Sequence, residues 1–229
     1  MKRIAIIPAR GGSKRLPRKN ILTFAGRPMI AYSIEAARQS RLFEAVLVST
    51  EDPEIAKVAR AEGAEVMARP AELATDTATV NETLLAVLDM LGRAGRSWDQ
   101  LCCLYATAPL RSAADLIAMQ KLLDPPRVCF VMAVSAYGQP PHQAMVRDNK
   151  GYLRFQWPEL GACRASDLPT FVVDNGSSYW ADVEAYRRQR TFYGDSLVGY
   201  EMPLNRSIDI DTPEQFDLAL ATMQLLEAP

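Results

Sequence analysis

Histidine is almost missing from this chain of 229 residues: His142 is the sole one, and cysteine is confined to Cys102, Cys103, Cys129 and Cys163. No C-x-x-C spacing occurs, and two of the cysteines sit inside the apolar run LCCLY. That pattern argues against a zinc or redox site and for buried thiols in a reducing, cytoplasmic compartment. A lone histidine beside Pro141, without a serine or cysteine partner pattern, argues against a hydrolytic triad and for a structural place on the surface. Neither sign of charge dominates, with 26 Lys plus Arg against 27 Asp plus Glu and a formal net charge of −1. This balance excludes a generic nucleic-acid or membrane-surface binder. No apolar run approaches membrane-spanning length, and the basic start MKRIAIIPAR is interrupted at Pro8, well short of an export signal. Neither G-x-x-x-x-G-K-[ST] nor G-x-G-x-x-G follows the first apolar run, which weighs against P-loop ATPases and dinucleotide binders.

The chain does contain an alternation of short apolar runs with helical periodicity. RIAIIPA reads as a strand buried on both faces, and RPMIAYSIEAARQS as a helix with Pro28 in its first turn. EAVLVST and DPEIAKVARAEG repeat the pair, followed by a helix over 78–92, a strand at QLCCLYA, a helix at AADLIAMQKLL and a strand at RVCFVMAVS. Such β-α-β-α order predicts an α/β domain over residues 1–229 with a mostly parallel sheet flanked by helices. From Tyr137 to Thr170 turn residues dominate and helical periodicity is lost, so 137–170 reads as an excursion within the domain, with a hairpin near RDNKGYLRF. The chain then returns through TFVVDNGSSYW into a helix, and RSIDIDTPEQF reads as a strand followed by a helix starting near Pro213.

Two constellations carry chemistry. IIPARGGSKRLPRKN packs Arg10, Lys14, Arg15, Arg18 and Lys19 directly behind the first strand, where open α/β sheets place phosphate sites. Gly11 and Gly12 would let the backbone turn tightly and expose its N–H groups, while Arg10, Lys14 and Lys19 bring charge to phosphate oxygens. Far along the chain, Asp209 and Asp211 lie two apart in the expected strand and so point to one face. Mg²⁺, which binds one or two carboxylates together with substrate phosphates, fits such a pair; the competing reading is that Asp211 caps the following helix. ARPAELATD and YATAPLR add Arg69, Asp76 and Arg111 in loops.

Taken in order, IIPARGGSKRLPRKNI, RPAELATD, TAPLR, DNGSSYW and IDIDTPEQF resemble the motifs of the CMP-N-acylneuraminate synthetase family of cytidylyltransferases, over nearly the whole chain. LCCLYATAP and FQWPE are most similar to its pseudaminic acid branch. The resemblance implies a Rossmann-like nucleotidyltransferase fold and a homodimer in which the 137–170 excursion reaches toward the partner. It also implies the reaction of CTP with a nine-carbon nonulosonic acid to give the CMP-sugar and pyrophosphate. By motif, Arg10, Gly12, Ser13, Lys14, Lys19, Asn20, Arg69 and Thr79 would surround the nucleotide, with Arg10, Lys14, Lys19 and Asp211 serving catalysis. Tyr105, Arg111, Arg164 and Asn175 would face the sugar acid, and Asp209 and Asp211 would hold Mg²⁺. Sialate enzymes of the family have QPTSPLR and NGAIY where this chain has YATAPLR and NGSSYW. Both differences lie on the sugar side and imply a differently substituted acid. CMP-Kdo synthetases and sugar-1-phosphate nucleotidyltransferases are the nearest alternatives, and a nucleotide- or RNA-binding module the non-enzymatic one.

Overall fold

The computed structural model describes residues 1–161 and 163–227. Its strands are β1 (Arg3–Pro8), β2 (Thr23–Phe24), β3 (Arg27–Pro28), β4 (Ala45–Thr50), β5 (Glu65–Ala68), β6 (Gln100–Leu104), β7 (Phe130–Ala136), β8 (Met145–Arg147), β9 (Leu153–Phe155), β10 (Val172–Asp182) and β11 (Leu197–Glu201). Its helices are α1 (Met29–Ser40), α2 (Pro53–Ala61), α3 (Val80–Arg93), α4 (Ala113–Leu122), the single turn α5 (Pro158–Gly161), α6 (Val183–Gln189) and α7 (Pro213–Glu227).

Seven strands form one sheet in the order β11-β7-β10-β6-β1-β4-β5. The pairings of β1 with β4 and β6, of β4 with β5 and of β11 with β7 are parallel, whereas β10 runs antiparallel to both β6 and β7. Side chains alternate across the sheet as the strand period of two requires. Ile4 and Ile6 join Leu84, Leu88 and Tyr186 from α3 and α6 on one face. Ala5 and Ile7 join Ile30, Ile34, Ile55 and Leu116 from α1, α2 and α4 on the other. Each fully buried isoleucine contributes about 1.5–3 kcal/mol, so β1, with both faces covered, anchors the loop that follows it. A third cluster around Phe24, Met29, Leu110, Ile210 and Ala219 docks α7 against the β2–β3 hairpin.

The mostly parallel sheet flanked by helices matches the expectation from the sequence. Three details differ. β5 is only four residues of EVMA at the sheet edge, too short for a periodic signal. Pro28 occupies the cap position of α1, one residue before the first turn. Residues 207–211 belong to no strand; Ile210 anchors them, fully buried with its N–H donating to the Thr107 carbonyl at 2.8 Å. Within 137–170 the hairpin is present as β8 with β9. His142 is not on the surface as expected: it is 6% exposed, with its ring 6.4 Å from that of Phe171.

Candidate active site

Because six strands of the main sheet share one direction, the ends of β1, β4, β6, β7 and β11 and the start of β10 converge on one edge, where α/β sheets bind ligands. The loop after β1 is built for that edge. Asn20, 5% exposed, donates from Nδ2 to the Arg10 carbonyl at 2.8 Å and ties the two ends of the loop together. Asp52 caps α2 by accepting from the N–H groups of Glu54 and Ile55, and its carboxylate passes so close to Gly11 that a Cβ there would lie 2.4 Å from Oδ2. Gly11 is therefore required by close approach. Neither Gly11 nor Gly12 takes a positive φ, so the tight turn expected of the pair is not what the loop uses; Gly12 faces open space.

The five cations of the loop divide among four carboxylates. Asp76 holds Arg10 at 2.7 Å and Lys14 at 2.5 Å. Asp211 holds Lys19 at 2.6 Å and Arg15 at 2.6 Å. Arg18 turns away toward Asp52 and Glu54. Arg10, Lys19, Asn20 and Arg69, with Asp76, line a cleft of about 240 Å³. Arg69 is 9% exposed and donates from Nη2 to the Ser49 carbonyl at 2.9 Å, while its Nε has no partner; burial pushes its guanidinium below the usual arginine range. Ser13 is half-buried in the loop and does not line the cleft. Thr79 caps α3 through a reciprocal box with Glu82, so the cleft is lined there by Ala78, Val80 and Thr83 instead.

A second, larger cavity of about 1010 Å³ opens between the ends of β7 and β10 and helix α7, with Asp174, Asn175, Asp209, Leu204, Ile208 and Leu218 in its wall. No lysine, arginine or histidine lines it among the described residues. Tyr105 is the one side chain shared by both hollows, with its ring packed 5.2 Å from that of Tyr179. Burial, followed by the nearby acidic groups, raises its phenol well above the usual range.

Asn175, 7% exposed, joins β10 to the 207–211 segment: Nδ2 donates to Ser207 Oγ at 3.1 Å and Oδ1 accepts from the Ser177 N–H. Gly176 follows at φ +66°, and a Cβ there would lie 2.6 Å from Asp209 Oδ2. Asp209 thus rests directly on the glycine backbone. Its Oδ1 is buried without a partner, and burial, together with repulsion from Asp211, raises its carboxyl above the usual range despite a hydrogen bond with Thr107. Burial would raise Asp211 too, but the Lys19 hydrogen bond and the Lys19 and Arg15 charges hold it below.

Asp211 does not cap α7. Thr212 does, accepting from the Gln215 N–H, and Gln215 Oε1 accepts from the N–H groups of Asp211 and Thr212. That leaves the Asp211 carboxylate for the cations. No group of three or more metal-ligating side chains exists among the described residues. An orphaned Asp209 oxygen beside an ionised Asp211 suits a hard divalent cation that completes its shell with substrate phosphates and water.

Two expected site residues lie elsewhere. Arg111 is 4% exposed and points inward, donating to the Ser177 carbonyl at 2.7 Å and to Ser33 Oγ at 2.5 Å; burial brings it down to about 10. It braces the β6–β10 pair and does not line the large cavity. Arg164 sits exposed on the excursion, outside the lining of either hollow. Conversely, Asp76, Arg15 and Asp174 were not assigned roles from the sequence, although five clustered cations should have prompted a search for their counter-ions.

A family model described as cytidylyltransferase matches residues 4–124. The chain is 32% identical over 220 residues to a pseudaminic acid cytidylyltransferase of Campylobacter jejuni subsp. jejuni, covering 96% of this chain and 95% of that one. It is 33% identical over 234 residues to a CMP-N,N'-diacetyllegionaminic acid synthase of Legionella pneumophila, covering 98% and 97%. Its backbone is similar to that of a CMP:2-keto-3-deoxy-manno-octonic acid synthetase solved with CTP, with a TM-score of 0.71 over 99% of this chain and 100% of the other at 20% identity.

Proposed function

The chain belongs to the cytidylyltransferase family and has its nucleotidyltransferase fold, and from that premise we propose that it joins CTP to a nonulosonic acid of the pseudaminic or legionaminic type, releasing pyrophosphate. One observation carries the reading: a cation-lined cleft and a cation-free cavity meet at Tyr105. The cleft suits a triphosphate and the cavity a bulky, partly apolar sugar. An RNA-binding module would have no use for Asp209 buried beside the phosphate cations.

In this reading the triphosphate displaces Asp76 and Asp211 from the loop cations, exchanging their four ion pairs for charge-assisted bonds to phosphate oxygens. Arg10 and Lys19 lie in the cleft, Arg69 backs it, and Lys14 closes over it from solvent. The anomeric hydroxyl of the sugar acid, held on the Tyr105 side, attacks the α-phosphorus in line, and the loop cations stabilise the charge growing on the nonbridging and leaving oxygens. Asp209 and Asp211 would hold Mg²⁺, whose charge neutralises phosphate oxygens when it is bound. Exposed Tyr152, Leu153 and Trp157 on the 137–170 excursion, with Phe171 just after it, favour a homodimer formed through that segment. Free thiols at all four cysteines suit a reducing cytoplasm.

The test is pyrophosphate release from CTP with pseudaminic, legionaminic, N-acetylneuraminic and 2-keto-3-deoxy-octonic acids, with and without a divalent-metal chelator. Turnover of the first two, abolished by the chelator, is expected. Turnover with a hexose 1-phosphate and with no 2-keto sugar acid would overturn the assignment.

A further inference from the structure

The large cavity contains a carboxylate that the reaction as described does not use. β10 loses register with β7 between Asp174 and Tyr179, and this irregularity turns Asp174, Asn175 and Gly176 into the cavity wall. Asp174 Oδ1 accepts from the Gly176 N–H at 3.0 Å and from the Tyr179 hydroxyl at 2.8 Å; Oδ2 accepts from the Tyr193 hydroxyl at 2.5 Å and also lies 3.0 Å from the Tyr179 hydroxyl, whose single proton the two oxygens share. Asp174 has no ion-pair partner among the described residues, so its donors are all neutral.

These donors differ in how firmly they are held. Gly176 is backbone, and Tyr179 is 5% exposed with its ring packed on Tyr105 and Phe192. Tyr193 is 66% exposed and reaches Asp174 from the connection between α6 and β11. It is the donor that a ligand can replace.

We propose that Asp174 is a specificity-determining residue: its Oδ2 accepts an amide N–H or hydroxyl of the sugar acid in place of Tyr193, selecting acids that carry a donor at the β10 end of the cavity. This inference rests on the reading that the cavity takes the sugar. The hydrogen bond to Asp174, with burial behind it, raises the Tyr193 phenol to about 12, so at neutral pH Tyr193 is a donor and the exchange is one neutral donor for another. A ligand group with only acceptor oxygens leaves Oδ2 facing another oxygen, with no donor beyond its share of the Tyr179 hydroxyl, and discrimination against a missing donor is large where the site's own polar group loses its partner. Asp174 and Asp209 together also make this wall negative. The sugar's own carboxylate is therefore directed toward the cations beyond Tyr105, which fixes the ligand's orientation.

The experiment compares kcat/KM for two nonulosonic acids that differ at one position, one carrying an N–H or O–H and the other a deoxy or O-alkyl group, in wild type, Asp174→Asn and Tyr193→Phe. Asp174→Asn should reduce the discrimination between the two acids by about 10- to 100-fold and leave KM for CTP within about twofold. Equal losses for both acids would mean a merely structural role and would overturn the inference. Tyr193→Phe removes the competing donor and should lower KM for the donor-bearing acid by about three- to tenfold; a rise in that KM would overturn the exchange even if Asp174→Asn does not fold. Absence of wild-type turnover with every nonulosonic acid would overturn the underlying substrate reading as well, whereas turnover with unchanged discrimination in Asp174→Asn would overturn only the role of Asp174.

Discussion

Replacing Gly176 with alanine should damage stability and catalysis together, because two independent constraints meet at that residue. Its φ of +66° is one that an L side chain adopts only at a cost, about 1–2 kcal/mol for a non-glycine residue. The new Cβ would also lie 2.6 Å from Asp209 Oδ2 and 3.0 Å from Asp209 Cβ. Rotating the carboxylate relieves the first contact but not the second, so the backbone of 207–211 must move. That segment is pinned by the buried Ile210 and its bond to the Thr107 carbonyl, and overpacking of this kind costs about 1–3 kcal/mol. The sum is roughly 2–5 kcal/mol, measurable as a shift in the urea midpoint followed by tryptophan fluorescence, since Trp180 is fully buried four residues later in the same strand. A displacement near 1 Å of the carboxylate pair should lower kcat by roughly 10²-fold, read as pyrophosphate release. A loss below about 1 kcal/mol with kcat within about twofold would refute the claim that Asp209 must sit against a glycine backbone.

Asp209→Asn should abolish chelator-sensitive turnover and yet raise stability at pH 7 by about 1 kcal/mol. Its carboxyl is raised in the folded state, so the charge disfavours folding above the folded pKa and the penalty is relieved as pH falls; a thermal scan of both proteins at pH 7 checks this. Asp115 has the opposite sign. Burial would raise it, but bonds from Arg206 and Ser112 hold it below the usual carboxylate range, so its stabilising contribution is present above that range and lost as pH falls through the depressed value. Urea midpoints measured downward from pH 5 should therefore decline less steeply in Asp115→Asn than in wild type. Arg206→Ala should cost about 3–5 kcal/mol, because Asp115 is 2% exposed and would keep its charge without its cation. Lys19→Ala should raise KM for CTP and lower kcat, with KM for the sugar acid little changed; equal effects on both substrates in initial-rate kinetics would remove Lys19 from the phosphate site.

Much of the fold was legible because its signals are local. The Ile-rich β1, the helix over 78–92 and the helix DPEIAKVARAEG each depend on neighbours in sequence, and each forms where its local pattern places it. The failures are where a residue's role depends on a distant partner. Asp209 and Asp211 were read as strand neighbours sharing one face. They are instead separated by a locked Ile210 in a segment outside the sheet, one carboxylate buried on Gly176 and the other holding Lys19 and Arg15. Arg111 looked free to bind an anion, but the carbonyl of Ser177, across the sheet, claims its guanidinium. His142 looked superficial because its neighbours are prolines and polar residues, and only the folding of the excursion over Phe171 buries it.

The sequence by itself determined the alternation of elements, the buried first strand, the clustered cations behind it and the two aspartates far along the chain, since periodicity, capping and local charge are properties of a chain segment. Tertiary structure alone decided that those aspartates meet the cations, that Tyr105 divides two hollows of opposite character, and that Asp174 faces the larger one. Strand order and the one reversed strand, β10, bring these groups together, and contacts between residues more than a hundred positions apart leave no mark on any short stretch of sequence.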